Sequence, residues 1–255
     1  MNLVNPLRRK LTEGRCLFGT LATMPSPQLA QLFAGCGFDW LMIDMEHGTI
    51  GIESAQAMIA ATAVSDCVPL VRVAWNLDWL VKPALDAGAL GIVFPMIRTA
   101  EDAAAAVACC RYPPHGTRGW GPFHAPSRWG TDALSYTRDA DAAVMRIALI
   151  EHVEAIANIE AIVATEGLDV ALIAPFDLSV SLGVPGRFDE PVFREAVAAA
   201  ERVIADSPVV LGGLARDAEA ARALTARGYR FVLLAYDVMI IEGAARALLD
   251  PLPRG

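Results

Sequence analysis

Short runs of apolar residues, many of them β-branched or aromatic, recur along the chain. Ala-rich stretches whose apolar positions return every three or four residues separate them. The runs are Leu17–Ala22, Trp40–Ile43, Leu70–Val73, Gly91–Pro95, Arg146–Ile150, Val170–Ala174, Val209–Gly213 and Phe231–Tyr236. Being short and nearly all apolar, they predict parallel strands covered on both faces. The stretches between and after them predict helices over Ser26–Ala34, Ser54–Val64, Asp78–Ala87, Glu101–Cys110, Ala155–Ala164, Pro191–Asp206, Asp217–Arg227 and Val238–Leu249. Ser26 and Pro27 form an N-cap and N1 pair, and Gly35, Gly88 and Gly228 stand where helices end on a left-handed residue.

Eight strands alternating with eight helices predict an α/β fold, a single (β/α)8 TIM barrel. No linker-like shift in composition interrupts the chain, so 1–255 reads as one domain. Two connections break the rhythm. Residues 112–141 read as a long loop rich in Pro, Gly and aromatics, and 175–190 precede the sixth helix. Ordered connections of that length usually carry function or form interfaces.

Composition narrows the field. The chain has 255 residues, 55% of them hydrophobic, which supplies a large core and excludes disorder. A net charge of −8 argues against a nucleic-acid partner. It leaves room for an anionic small substrate, because local arginines can outweigh the global field. No apolar run approaches the roughly 18 residues of a membrane span, and no apolar stretch follows Arg8-Arg9-Lys10 to make a secretory signal. The expectation is a soluble cytoplasmic protein without a membrane partner. The five cysteines are odd in number and lack a C-x-x-C pair, so they read as small buried hydrophobes in a reducing compartment. Lys10 and Lys82 are the only lysines, and neither follows a strand. A Schiff-base lysine at a strand end is therefore missing, which argues against a class I aldolase mechanism.

In a TIM barrel the active site lies at the C-terminal ends of the strands. Strand two runs into Asp44, Met45, Glu46, His47 and Gly48, strand three ends around Arg72, strand five runs into Glu151 and His152, and Asp177 follows strand six. Each has an ordinary structural reading alone: a loop histidine, a buried ion pair, a helix cap, an N-cap. Their common rim favours chemistry instead. Glu151 and Asp177, with no Cys or His cluster at ligand spacing, suit a hard divalent cation such as Mg²⁺ or Mn²⁺. Such an ion can chelate a 2-oxo acid and polarise its carbonyl. Arg72 could donate to the developing enolate oxygen, and His47 could move the proton. Proton transfer beside a carbonyl is the reaction class these residues indicate. No G-x-G-x-x-G, Walker A or G-x-S-x-G motif competes with it.

The chain resembles the HpcH/HpaI family of class II, metal-dependent pyruvate aldolases. The resemblance rests on GFDWLMIDMEHG at 37–48, PLVRVAWN at 69–76, LDAGALGIVFPMI at 85–97, RYPPHGTRGWG at 111–121, ALIEHVEA at 148–155 and APFDLSVSLG at 174–183, in that order. It implies a barrel of the phosphoenolpyruvate/pyruvate superfamily that cleaves 4-hydroxy-2-oxo acids reversibly to pyruvate and an aldehyde. It implies Glu151 and Asp177 as ligands of Mg²⁺, Mn²⁺ or Co²⁺, Arg72 on the pyruvate oxygen, and His47 as the catalytic histidine. Asp86 is implied as that histidine's partner, often reaching from a neighbouring subunit. The substrate is expected to meet Arg72, Leu149, Ala174, Pro175, Phe176 and Leu214. A homo-oligomer is implied, a hexamer built as a trimer of dimers, with the C-terminal helix used in its packing.

Three positions depart from the family pattern. Its Q-I-E is here Leu149-Ile150-Glu151, its G-P-[AS]-D is Ala174-Pro175-Phe176-Asp177, and Trp120-Gly121-Pro122-Phe123 is more aromatic than usual. These changes point to altered acceptor scope. His152 is expected to be a neighbouring loop residue and not a ligand. Two other readings compete. CoA-thioester lyases share the superfamily, but the short chain and the D-M-E-H segment speak against them. A barrel that binds an oxo acid without turnover would draw only on Leu149 and Phe176.

Overall fold

A computed structural model describes residues 3–252. Residues 1–2 and 253–255 of the single-domain reading lie outside the described residues. The strands are β1 (Leu17–Ala22), β2 (Trp40–Asp44), β3 (Val68–Arg72), β4 (Gly91–Phe94), β5 (Met145–Ile150), β6 (Val170–Ile173), β7 (Val210–Ala215) and β8 (Phe231–Tyr236). They pair in parallel in chain order, and β8 returns to β1 to close a barrel. The helices are α1 (Pro6–Thr12), α2 (Pro27–Gly35), α3 (Ile52–Ala61), α4 (Asp78–Ala87), α5 (Ala100–Cys109), α6 (Ala125–Trp129), α7 (Ala133–Ala143), α8 (Val153–Ala157), α9 (Ile159–Val163), α10 (Pro175–Ser181), α11 (Pro191–Ala205), α12 (Ala218–Ala226) and α13 (Asp237–Leu249).

Alternation along the strands sorts the core into two layers. Trp40, Met42, Leu70, Ile147, Leu149, Leu172 and Leu233 point into the barrel. Leu41, Ile43, Val71, Ile92, Ile150, Ile173 and Val232 point out toward the helices. Trp40 stacks flat on Phe231 with ring centroids 4.4 Å apart. Gly19 makes room for it, since a Cβ there would lie 1.9 Å from the indole.

Several sequence expectations need correction. Helix α1 was not foreseen. Asn5 caps it, accepting from the Leu7 N–H, and Leu7 is fully buried in the barrel-interior cluster. The long loop 112–141 holds two helices, α6 and α7, and the connection 175–190 begins as α10. The helix expected over Ala155–Ala164 is broken at Asn158, whose side-chain amide donates to the Arg98 carbonyl. Gly35 ends α2 inside the helix, and the left-handed residue beyond it is Gly37, at φ 96°. Gly88 and Gly228 do carry positive φ. No helix among the described residues is long and apolar enough to cross a membrane.

Candidate active site

Strand parity and register build the rim. Asp44 continues the inward series Trp40, Met42, and Arg72 continues Val68, Leu70. The β2–β3 register sets Asp44 directly beside Arg72 at the C-terminal ends of both strands. Glu151 extends the inward series Ile147, Leu149 one step past β5. A charge can sit at these positions because the apolar interior ends there.

Arg72 is held rigidly. Its Nε and Nη2 donate to the two oxygens of Asp44 at 2.8 and 2.7 Å, a bidentate pair with Asp44 fully buried. Asp44 Oδ1 also accepts the backbone N–H groups of Glu46 and His47, which fixes the turn after β2. Gly48 closes that turn, and a Cβ there would lie 2.2 Å from the Asp44 carbonyl oxygen. Burial works against the Arg72 charge, but the Asp44 pair, with Glu46 and Glu151 nearby, overcomes it and raises the pKa.

The carboxylates opposite are crowded. Glu151 is buried, and its Oε1 accepts the Met96 N–H at 2.6 Å. Met96 has φ 54°, a left-handed conformation rare for such a side chain, and it aims that N–H into the site. Burial first, with the charges of Glu46 and Asp177, pushes the Glu151 pKa up to about 7, against the Met96 hydrogen bond and the Arg72 charge. Glu46 is also raised, first by burial, with Arg72 opposing and Asp44 and Asp177 adding. Glu46 Oε2 lies 3.2 Å from Arg72 Nη1 yet is buried without a hydrogen-bond partner. Asp177 is the third residue of α10 and not its N-cap, which is Ala174.

Arg72, Leu149, Ala174, Pro175, Phe176, Asp177 and Leu214 line one cavity of about 80 Å³ at the barrel mouth. His47 stands on the same rim with its side chain exposed and Nε2 3.8 Å from Glu46 Oε2. Asp86 is elsewhere. It lies near the end of α4, where the chain returns to the start of β4, and accepts from Arg118 Nη2 at 2.8 Å. His152 caps α8 through Nδ1, which accepts the Glu154 N–H, so it serves local structure. Lys10 pairs with Asp39 at 2.5 Å before the first strand, and Lys82 lies in α4.

The sequence sets Asp44 and Glu46 on the rim, in the D-M-E-H run, but assigns them no role. Their even spacing along β2 and beyond it was the signal for their inward placement beside Arg72. Met96 carried no such signal, because its contribution is a backbone N–H.

Glu151 and Asp177 offer hard oxygen donors whose like charges oppose one another. A divalent cation would relieve that opposition, and this donor set fits such an ion. Among the described residues no group of three His, Cys, Asp or Glu converges as a ligand set. Two protein carboxylates would leave the remaining positions to water and substrate oxygens.

A sequence profile described as HpcH/HpaI aldolase/citrate lyase matches residues 18–244. A hydroxypyruvate/pyruvate aldolase of Roseobacter denitrificans is 33% identical, with 96% of this chain and 96% of the relative covered. A 4-hydroxy-4-methyl-2-oxoglutarate aldolase of Chaetomium globosum is 38% identical, with 94% of this chain and 92% of the relative covered. The crystal structure of a HpcH/HpaI aldolase/citrate lyase family protein from Burkholderia cenocepacia J2315 matches with TM-score 0.90 and 34% identity, covering 97% of this chain and 98% of that one.

Proposed function

The chain belongs to the HpcH/HpaI aldolase/citrate lyase family, and from that premise we propose that it is a class II aldolase. It cleaves 4-hydroxy-2-oxo acids to pyruvate and an aldehyde, and runs the addition in reverse. One observation carries this reading: a bidentate-locked Arg72 shares the mouth cavity with Asp177, and the buried Glu151 stands beside them on the rim.

In cleavage, the C4 hydroxyl gives up its proton and the C3–C4 bond breaks. Its electron pair becomes the enolate of pyruvate, the aldehyde departs, and C3 is then protonated. The charge appears on the C2 oxygen. Arg72 keeps N–H donors beyond those given to Asp44, and its pair with Asp44 fixes their direction before substrate arrives. His47, exposed at the rim, takes the hydroxyl proton and returns it in the addition direction. Leu149, Ala174, Pro175, Phe176 and Leu214 shape the pocket around the substrate carbons. Glu151 and Asp177 would hold the divalent cation, which would supply Lewis-acid polarisation of the 2-oxo group. We take it to be Mg²⁺, Mn²⁺ or Co²⁺.

We assign Asp86 to a neighbouring subunit's His47, since within one chain it pairs with Arg118. A hexamer, a trimer of dimers, supports this arrangement. The exposed Trp75, Trp79, Trp120 and Phe123, together with the exposed outer length of α13, favour association. We further read the chain as one domain, with one closed barrel in its support. The free cysteines fit a cytoplasmic location. The deciding experiment measures pyruvate release from 4-hydroxy-2-oxo acids with and without EDTA. Turnover that stops with the chelator and returns with Mn²⁺ is expected, and turnover that survives full metal removal would overturn the mechanism.

A further inference from the structure

A second cavity, of about 220 Å³, lies on the outer side of the sheet where α11 and α12 pack over β7. Gly213 faces outward there, so the strand sends no side chain into the gap, and the Tyr229 ring sits where its Cβ would point. Phe188, Phe193, Val197, Leu224 and Tyr229 make the walls apolar. The charged lining groups are Arg216 and Arg227, and Arg227 is taken up by Glu201. The sheet separates this cavity from the barrel interior along most of its length. At the top the two adjoin, and Pro175, Phe176 and Leu214 line both. The divider is the Phe176 ring. It is 51% exposed and stands edge-on to Phe188, with centroids 5.0 Å apart.

We propose that this outer cavity is a subsite for the apolar tail of the aldehyde acceptor, aryl or branched alkyl, and that Phe176 is the gatepost between it and the mouth. The proposal rests on the aldolase reading above. In the addition direction C3 of the enolate bonds to the aldehyde carbon, and the aldehyde oxygen takes a proton to become the 4-hydroxyl. The tail is a spectator and can leave the mouth over Pro175 and Phe176. An apolar tail gains by leaving water for these walls, and a one- or two-carbon acceptor is too short to reach them.

The test compares kcat/KM for pyruvate addition to 3-phenylpropanal and to acetaldehyde. The proteins are the wild type, Val197→Trp and Ala220→Phe, which fill the outer cavity from two different helices. The wild type is expected to prefer 3-phenylpropanal. Each filling variant should lose at least tenfold on that acceptor and stay within twofold on acetaldehyde. Equal losses on both acceptors in a variant that melts like the wild type, or no loss on either, would overturn the proposal. A binding measurement stands apart from catalysis and from variant folding. In wild-type protein without pyruvate, 3-phenylpropanal should shift the methyl resonances of Val197 and Leu224, and unmoved resonances would also overturn it. If neither aldehyde is turned over while those methyls shift, the aldolase reading falls and the subsite stands.

Discussion

At the N-terminal end of the barrel Arg8 gives Asp169 two hydrogen bonds, at 2.7 and 2.8 Å, and Lys10 reaches Asp39 at 2.5 Å. Arg146 adds a second cation to Asp169 at 3.6 Å. Both of these carboxylates are paired with cations. At the C-terminal end Asp44, Glu46 and Glu151 gather around Arg72, Asp177 adds its charge to Glu46 and Glu151, and a buried Glu46 oxygen is left without a hydrogen bond. The same barrel thus balances its charges at one mouth and leaves them unbalanced at the other. The matched end adds to stability. On the proposed function, the mismatched end holds its carboxylates against their own repulsion so that a cation and an anionic substrate can bind there.

That contrast can be broken by substitution. Glu151→Gln should lower kcat/KM for pyruvate release by at least about a hundredfold, if Glu151 holds the metal as proposed. Its melting temperature, read by calorimetry, should hold or rise, since one crowded charge is gone. A clear fall in Tm would mean that the upper mouth is stabilising after all. Arg72→Lys should cost about a hundredfold in kcat while the protein stays folded by circular dichroism, because an ammonium cannot reproduce the planar fork. His47→Ala and Asp86→Ala should each be inactive, and mixing the two under exchange conditions should restore turnover if the pair forms across subunits. No recovery in demonstrated mixed oligomers would remove Asp86 from the site.

Smaller effects are expected at the other mouth. Arg8→Ala should cost about 1–2 kcal/mol of stability, from a largely buried bidentate pair, with KM unchanged. That corresponds to roughly 2–8 °C in Tm for a chain of this size. The smallest effect should follow thiol alkylation at neutral pH. Cys36 is exposed and should react, whereas Cys67 is buried with its pKa pushed up to about 12 by that burial and should not. Mass spectrometry should find Cys36 modified and activity intact, since it lies at the end of α2 away from the rim.

The rule that a barrel's site lies at the C-terminal ends of its strands makes much of the site legible in the sequence. Arg72 and Glu151 fall on the barrel side of their strands because β-alternation leaves no other choice, and a charge on that side is informative only at a strand end. The short helices were not legible. In α7 the buried Tyr136, Ala140 and Ala143 follow helical spacing, but polar residues and two small alanines dilute the signal in a stretch already marked by Pro and Gly. Helix α1 escaped because it is short and its one fully buried residue, Leu7, plugs the barrel instead of forming a stripe. Asp86 was reached through a motif, and its local partner, Arg118, follows from tertiary packing that no spacing encodes. The outer cavity is equally a product of packing between α11 and α12.

The carboxylate of Asp237 accepts the Thr23 N–H, the Thr23 hydroxyl and the Met24 N–H, and so pins the root of α13 to the end of β1. From Ile241 to Asp250 every residue of that helix and its cap is exposed. The helix is therefore a spar on a welded socket: its heading is set while its flank is bare. A surface that receives it meets a rod already pointed, and the orientational entropy that a flexible tail would surrender on contact has been removed in advance.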